Sequence, residues 1–199
     1  MLYAVAERGA MKSFQRYKDR FFLPLVRTLA AWKITANHIS FLSGLVAASG
    51  LLGALLLHEP TIFLIGLWVH VLLDGIDGAL ARWQKTGPTG VLVDTAADMV
   101  GIASACLYAF LFAHEPYSLI LIFFATYASL VFVSLIRDAR GFPYTFTVRP
   151  RFFVYFFLTL DYALSGKTAG LIMGASAIPM GMLVLAGMYA IWRRQSRAR

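Results

Sequence analysis

The chain has 199 residues, of which 59% are hydrophobic and 14% charged, and a formal net charge of +8; an ordinary soluble domain is about 45–50% apolar and about 25% charged. So few polar residues exclude a disordered chain, and a single cysteine, Cys106, excludes a disulfide scaffold. In a soluble protein this surplus of base would suggest nucleic acid, so its placement along the chain decides its meaning.

Residues 1–33 are interrupted by charge at Glu7, Arg8, Lys12, Arg16, Lys18, Asp19, Arg20, Arg27 and Lys33, a pattern unlike a cleavable signal peptide. Phe14, Tyr17, Phe21, Leu25 and Leu29 recur at helical spacing, while Lys12, Arg16, Arg20 and Arg27 fall on another face. The segment therefore reads as an amphipathic helix lying in the headgroup layer on the cytoplasmic side, with Pro24 expected to kink or divide it.

Six apolar stretches follow, at 34–57, 61–82, 90–113, 117–136, 152–164 and 168–192. At about 20 residues per crossing they predict an all-α integral membrane protein with six transmembrane helices, a single membrane domain over residues 34–192. The fifth stretch is the shortest and carries Asp161. The joining turns are short, among them His58-Glu59-Pro60, His114-Glu115-Pro116 and Ser165-Gly166-Lys167. With the N-terminus inside, 17 of the 18 Lys and Arg fall in cytoplasmic segments and only Lys167 outside, and residues 193–199 form a basic cytoplasmic tail. The positive-inside rule then places both termini in the cytoplasm, at the inner membrane if the cell is bacterial, and accounts for the net charge without a nucleic-acid partner.

Four of the ten acidic residues, Asp74, Asp77, Asp94 and Asp98, lie inside otherwise apolar spans. Each costs about 2.5–3.5 kcal/mol at a helix centre, and less near an interface. At about 1.5 Å per residue, counted from Arg82 and Gly90, Asp77 and Asp74 lie about 7.5 and 12 Å deep, and Asp94 and Asp98 about 6 and 12 Å deep. The i,i+3 and i,i+4 spacings put each pair on one helix face, so four carboxylates can converge near the cytoplasmic surface. No Lys or Arg lies within the spans at that depth. Oxygen-only donors suit hard divalent ions, Mg²⁺ or Mn²⁺, and two such ions would balance four carboxylates. Two divalent ions at this depth point to phosphoryl chemistry. Gly75 and Gly78 flank Asp77, and Gly90 opens the third span; glycine there can admit a ligand or a neighbouring helix.

In order, these residues spell Asp74-x-x-Asp77-Gly78-x-x-Ala81-Arg82, seven residues, then Gly90-x-x-x-Asp94-x-x-x-Asp98. This eight-position motif resembles the signature of the CDP-alcohol phosphotransferases, the membrane enzymes that build phospholipid headgroups. The segment Ile34-Thr35-Ala36-Asn37-His38-Ile39-Ser40 is weakly similar to that family's first-span entry, with Ala36 where proline is common. The family usually has eight residues between the arginine and the second glycine; the shorter spacer here falls in a turn containing Gly87-Pro88, where the metal geometry is expected to survive.

The resemblance implies a six-helix fold, usually homodimeric, with a cavity open to water and lipid. It implies two Mg²⁺ or Mn²⁺ ions on Asp74, Asp77, Asp94 and Asp98, with Asp98 also the general base. Gly78, Ala81, Arg82 and Gly90 would contact the CDP part of the donor, CDP-diacylglycerol being the expected one. The acceptor oxygen would attack the β-phosphorus and CMP would leave, the acceptor being a small alcohol.

Arg137, Arg140, Arg149 and Arg151 follow span four and precede span five, where they could hold a phosphate on the acceptor or serve topology and anionic lipid. His70, one turn from Asp74, reads as a hydrogen-bonded core residue before a metal ligand. Asp161 reads as a helix-end or snorkelling group, Cys106 as a packing residue, and Ser49/Gly53 and Gly170/Gly174 as helix-packing pairs. The aromatics Phe152, Phe153, Tyr155, Phe156 and Phe157 have the composition of a lipid-facing surface. Two other readings of the aspartates are an intramembrane prenyltransferase, which usually has a longer chain with separated Asp-rich motifs, and a cation- or proton-coupled transporter, whose site would lie nearer the midplane between repeats.

Overall fold

The structure is a computed structural model and describes residues 8–85, 87–142, 144 and 150–197. Its helices are α1 (Arg8–Ala31), α2 (Ala36–Leu57), α3 (Pro60–Gln84), α4 (Pro88–Leu111), α5 (Tyr117–Ala139), α6 (Arg151–Leu164) and α7 (Ala169–Arg197), and the described residues contain no strand. The chain divides into two compact units, one of Met11–Tyr108 and one of the chain from Ala109 onward with the opening residues of α1.

In the first unit the helix ends follow local chemistry. Thr35 caps α2 by accepting from the His38 N–H, and the His38 ring accepts from the Thr35 N–H, a reciprocal capping box. The helix closes at His58 in the left-handed conformation (φ 54°). Glu59 then caps α3, with Pro60 at its first turn, where a missing N–H costs nothing. Lys85 (φ 52°) ends α3, its N–H donating to the Ala81 carbonyl, and Pro88 begins α4. The short spacer is thus a tight turn between two helices that each run two residues beyond the expected span ends.

α2 packs against α3 through a pair of glycines the periodicity did not single out. A Cβ on Gly50 would sit 3.4 Å from the Gly66 Cα, and one on Gly66 3.3 Å from the Gly50 Cα. Two bare backbones therefore touch, the small-residue packing that apolar solvent favours. Gly44 of α2 meets the Ala97 Cα of α4 in the same way, at 3.3 Å. The C-terminal half of α1 joins this unit: Val26 is buried with Ala36, Ile39, Ile76, Ala79 and Leu80, flanked by Phe22 and Leu29. α1 continues through Pro24 as one helix. The carbonyl that loses its donor to proline is that of exposed Arg20, where water or a headgroup can satisfy it.

In the second unit α5 and α6 both pack on α7. Buried Asp161 of α6 caps α7: its carboxylate accepts from the Thr168 N–H (2.7 Å), the Thr168 hydroxyl (2.6 Å) and the Ala169 N–H (2.6 Å). Its role is therefore at a helix end. Gly170 and Gly174 make room for the Glu115 carboxylate and for Leu119, which bears out their packing role. α7 runs to Arg197, so the described part of the basic C-terminal segment, residues 193–197, is helical.

Among the described residues, five helices are long and apolar enough to cross a membrane: α2, α3, α4 from Thr89, α5 and α7 through Ser196. α6, with 14 residues, rises only about 21 Å against a hydrocarbon core of about 30 Å. The sixth span is therefore not met by length. Large apolar side chains such as Leu56, Ile65, Leu121, Leu171 and Leu185 stand more than 60% exposed along the spanning helices, as a lipid-facing surface requires.

Candidate active site and metal centre

Asp74 and Asp77 lie on α3 and Asp94 and Asp98 on α4, both helices of the first unit. One carboxylate oxygen each from Asp74, Asp94 and Asp98 comes within 4.8 Å of the other two, and all three residues are half-buried. At that spacing each pair of charges repels by about 3.5 kcal/mol at an effective dielectric near 20, and three pairs by about 10. That is comparable to the stability of a whole domain, so the arrangement calls for compensating positive charge. Three convergent carboxylate oxygens match the donor chemistry of Mg²⁺ or Mn²⁺. By chemistry and by spacing, these residues fit a hard divalent ion.

Asp77 stands outside that trio. It is buried, with the Ser40 side chain as hydrogen-bond partner, and lies close enough to feel the charges of Asp94, Asp74 and Asp98. The structure therefore brings three of the four expected ligands to one point and sets the fourth beside them, held by α2.

Of the remaining motif positions, Gly78, Ala81 and Arg82 lie in the last turns of α3 and Gly90 in the first turn of α4. Arg82 folds back along its helix so that Nη1 lies 3.4 Å from where a Gly78 Cβ would be, while Nε donates to both oxygens of Asp19 at 3.1 Å. Ala81 packs against the core beneath α1, and Gly90 lies in the first turn of α4, its N–H donating to the Gly87 carbonyl. Gly75 is covered by α1: a Cβ there would lie 3.5 Å from the Phe22 ring and 3.8 Å from the Lys18 side chain. Of the two readings of this glycine, helix packing holds.

His70 is buried one turn deeper than Asp74. Its Nδ1 lies 2.7 Å from the Ser43 hydroxyl, which itself donates to the His70 carbonyl (3.0 Å). The hydroxyl proton is thereby committed, so Nδ1 carries the ring proton. His70 is a core hydrogen-bonded residue and not part of the carboxylate group.

The arginines beyond span four belong to the second unit. Arg137 lies over the Tyr144 ring (4.1 Å to its centroid) and the Phe142 ring (5.2 Å), and its Nε donates to the Phe142 carbonyl. Arg194, which the sequence left in a generic tail, lies over Phe142 at 4.2 Å. Tyr144 donates its hydroxyl to the Leu183 carbonyl (2.6 Å); burial raises its pKa and the Arg137 charge opposes that rise. Arg140 is exposed at the end of α5, and Arg151 is buried beneath the first turn of α6 with its guanidinium over Phe152. Arg149 lies outside the described residues.

The family model for CDP-alcohol phosphatidyltransferase matches residues 33–192. Among solved structures, the chain shares its fold with phosphatidylinositol phosphate synthase PgsA1 of Mycobacterium tuberculosis. With CDP-DAG bound, that protein superposes with a TM-score of 0.69 at 18% identity, covering 87% of this chain and 94% of that one. Its complex with manganese and citrate gives 0.67 at 21% identity (85% and 88%), and its apo form 0.64 at 19% identity (85% and 95%). No curated protein matches the sequence.

Proposed function

The chain belongs to the CDP-alcohol phosphatidyltransferase family, and we propose that its aspartate cluster transfers the phosphatidyl group of CDP-diacylglycerol to an alcohol hydroxyl, with release of CMP. The protein is a phosphatidyltransferase of phospholipid synthesis. The observation that carries the assignment of the site is the convergence of Asp74 of α3 with Asp94 and Asp98 of α4.

Asp74, Asp77, Asp94 and Asp98 would hold two divalent ions, Mg²⁺ or Mn²⁺; a solved structure of the similar synthase contains manganese. When bound, such ions neutralise the carboxylates and the pyrophosphate oxygens of the donor. Arg82, over Gly78, and the backbone at Ala81 and Gly90 orient the CDP moiety. Asp98 accepts the proton of the acceptor hydroxyl as its oxygen bonds to the β-phosphorus and the bond from that phosphorus to the CMP oxygen breaks. The CMP phosphate carries away the electron pair.

Arg137, Arg140, Arg149 and Arg151 are assigned to a phosphate on the acceptor. The similar synthase makes phosphatidylinositol phosphate, and Arg137 is held over the Tyr144 and Phe142 rings, which restricts how its guanidinium can be presented. In the membrane, α6 makes a short sixth crossing, α1 lies at the cytoplasmic headgroup layer, both termini and the active site face the cytoplasm, and two copies pair.

The test is CMP release by the purified full chain in lipid vesicles, given CDP-diacylglycerol, Mg²⁺ or Mn²⁺ and a panel of alcohols including phosphorylated ones. Acceptor-dependent release that a chelator and Asp98→Asn both abolish supports the reading; a folded sample that releases none with any acceptor defeats it.

A further inference from the structure

α1 carries two neighbouring apolar faces. Phe22, Val26 and Leu29 dock on α2 and α3, while Tyr17, Phe21 and Leu25, at i,i+4 spacing, stand exposed, as does Trp32 just past the helix end. Beside the docking face, Asp19 reaches Arg82 of the motif, 63 residues away in sequence. Its carboxylate receives the Nε N–H through both oxygens and an Nη2 N–H as well. The opposite nitrogen, Nη1, is left over Gly78. Lys18 and Phe22, the residues on either side of this contact along the docking face, close over Gly75. The side chains of Arg82 and Asp19 are 19% and 39% exposed, and ion pairs open to water contribute little to stability. What such a pair does supply is geometry: a planar guanidinium gripped along one edge keeps its other edge in a fixed direction.

We infer that Asp19 is a positioning residue of the donor site, holding Arg82 so that its free edge meets the CDP phosphates, and that α1 is thereby a working wall of the active site as well as a membrane-surface helix. This rests on the assignment of Arg82 to the donor.

The experiment is a double-mutant cycle on the full chain in vesicles, measuring kcat and the apparent KM for CDP-diacylglycerol for wild type, Asp19→Asn, Arg82→Ala and the double variant, with thermal melting of each. The expected result is a KM about tenfold higher in Asp19→Asn with kcat within about twofold, partial rescue by Asp19→Glu, and no further KM change when Asp19→Asn is added to Arg82→Ala. An Asp19→Asn effect of equal size in both backgrounds, or one confined to melting temperature and active fraction, shows a purely structural role and overturns the inference. An unchanged KM in Asp19→Asn beside a raised one in Arg82→Ala overturns it while sparing the donor reading. An unchanged KM in Arg82→Ala removes the donor assignment and the inference together. If Asp19→Asn does not fold, Asp19→Ser carries the same comparison.

Discussion

The imidazole of His70 on α3 fills the place where Gly101 on α4 has no side chain: a Cβ there would lie 2.9 Å from His70 Cε1 and closer still to Nε2. Ser43 of α2 holds the other side of the ring at 2.7 Å. One buried ring thus ties three helices together. Asp74 is one turn along α3 from His70, and Asp98 is one turn along α4 from Gly101, so this contact sets the rotation at which the two carboxylates face each other.

Gly101→Ala is expected to lower stability by about 1–3 kcal/mol, the usual cost of overpacking a filled site, and to lower CMP release beyond what the loss of folded protein explains. The ring cannot swing aside, because Ser43 holds it. Adding His70→Ala to Gly101→Ala should recover part of the melting temperature. Melting curves and initial rates of the single and double variants check this; a Gly101→Ala protein with both values at wild type contradicts it.

Asp98→Asn should reduce kcat by about 10²–10⁴-fold, the usual contribution of a positioned general base, with the KM for CDP-diacylglycerol changed far less. Steady-state CMP release over a range of donor concentrations measures both.

Stability without divalent ions should move the other way. Three carboxylates within 4.8 Å repel one another, so in the presence of a chelator Asp94→Asn should melt above wild type, by virtue of about 3.5 kcal/mol of repulsion removed per pair at an effective dielectric near 20. Adding Mn²⁺ should raise the wild-type melting temperature and move that of Asp94→Asn much less. Equal chelator-state melting temperatures would argue that the carboxylates are already neutralised from within the protein.

Asp161→Ala should destabilise by about 2–4 kcal/mol, because two backbone N–H groups and a hydroxyl at the start of α7 lose a charged acceptor inside the protein. The variant that remains folded should keep the wild-type KM for donor, since Asp161 plays no part in binding it. Thermal melting with donor titration separates the two effects.

Arg137→Ala is expected to raise the KM for a phosphorylated acceptor about tenfold or more with little change in the KM for donor, and Arg137→Lys to restore only part of it. Lysine keeps the charge but lacks the planar face that stacks on Tyr144 and Phe142. Kinetics with phosphorylated and unphosphorylated acceptors provide the check.

Local chemistry was enough to read the helices and the motif. Five of the six apolar runs reappear as helices long enough to span, and the spacing of Asp74, Asp77, Asp94 and Asp98 puts one pair on α3 and the other on α4, while Pro60 and Pro88, read as turn residues, open those helices instead. The buried, hydrogen-bonded state of His70 and the helix-end role of Asp161 were legible for the same reason, since an ionisable group in an apolar segment must find a partner. Which partner it finds was not. Nothing in the spacing of α1 distinguishes Asp19 from the charges around it until the helix docks through Val26 and brings it to Arg82. Gly101 is one small residue among many until His70 arrives from α3, and Gly50 and Gly66 become a contact only when two helices cross there. Asp77 shares its pattern with the other three aspartates, yet α2 sets it apart by presenting Ser40. The sequence by itself determined the elements and the kind of chemistry, because these depend on hydrophobicity and charge along one helix. Tertiary structure alone decided which residues orient the site, because that depends on the rotation and approach of helices far apart in the chain.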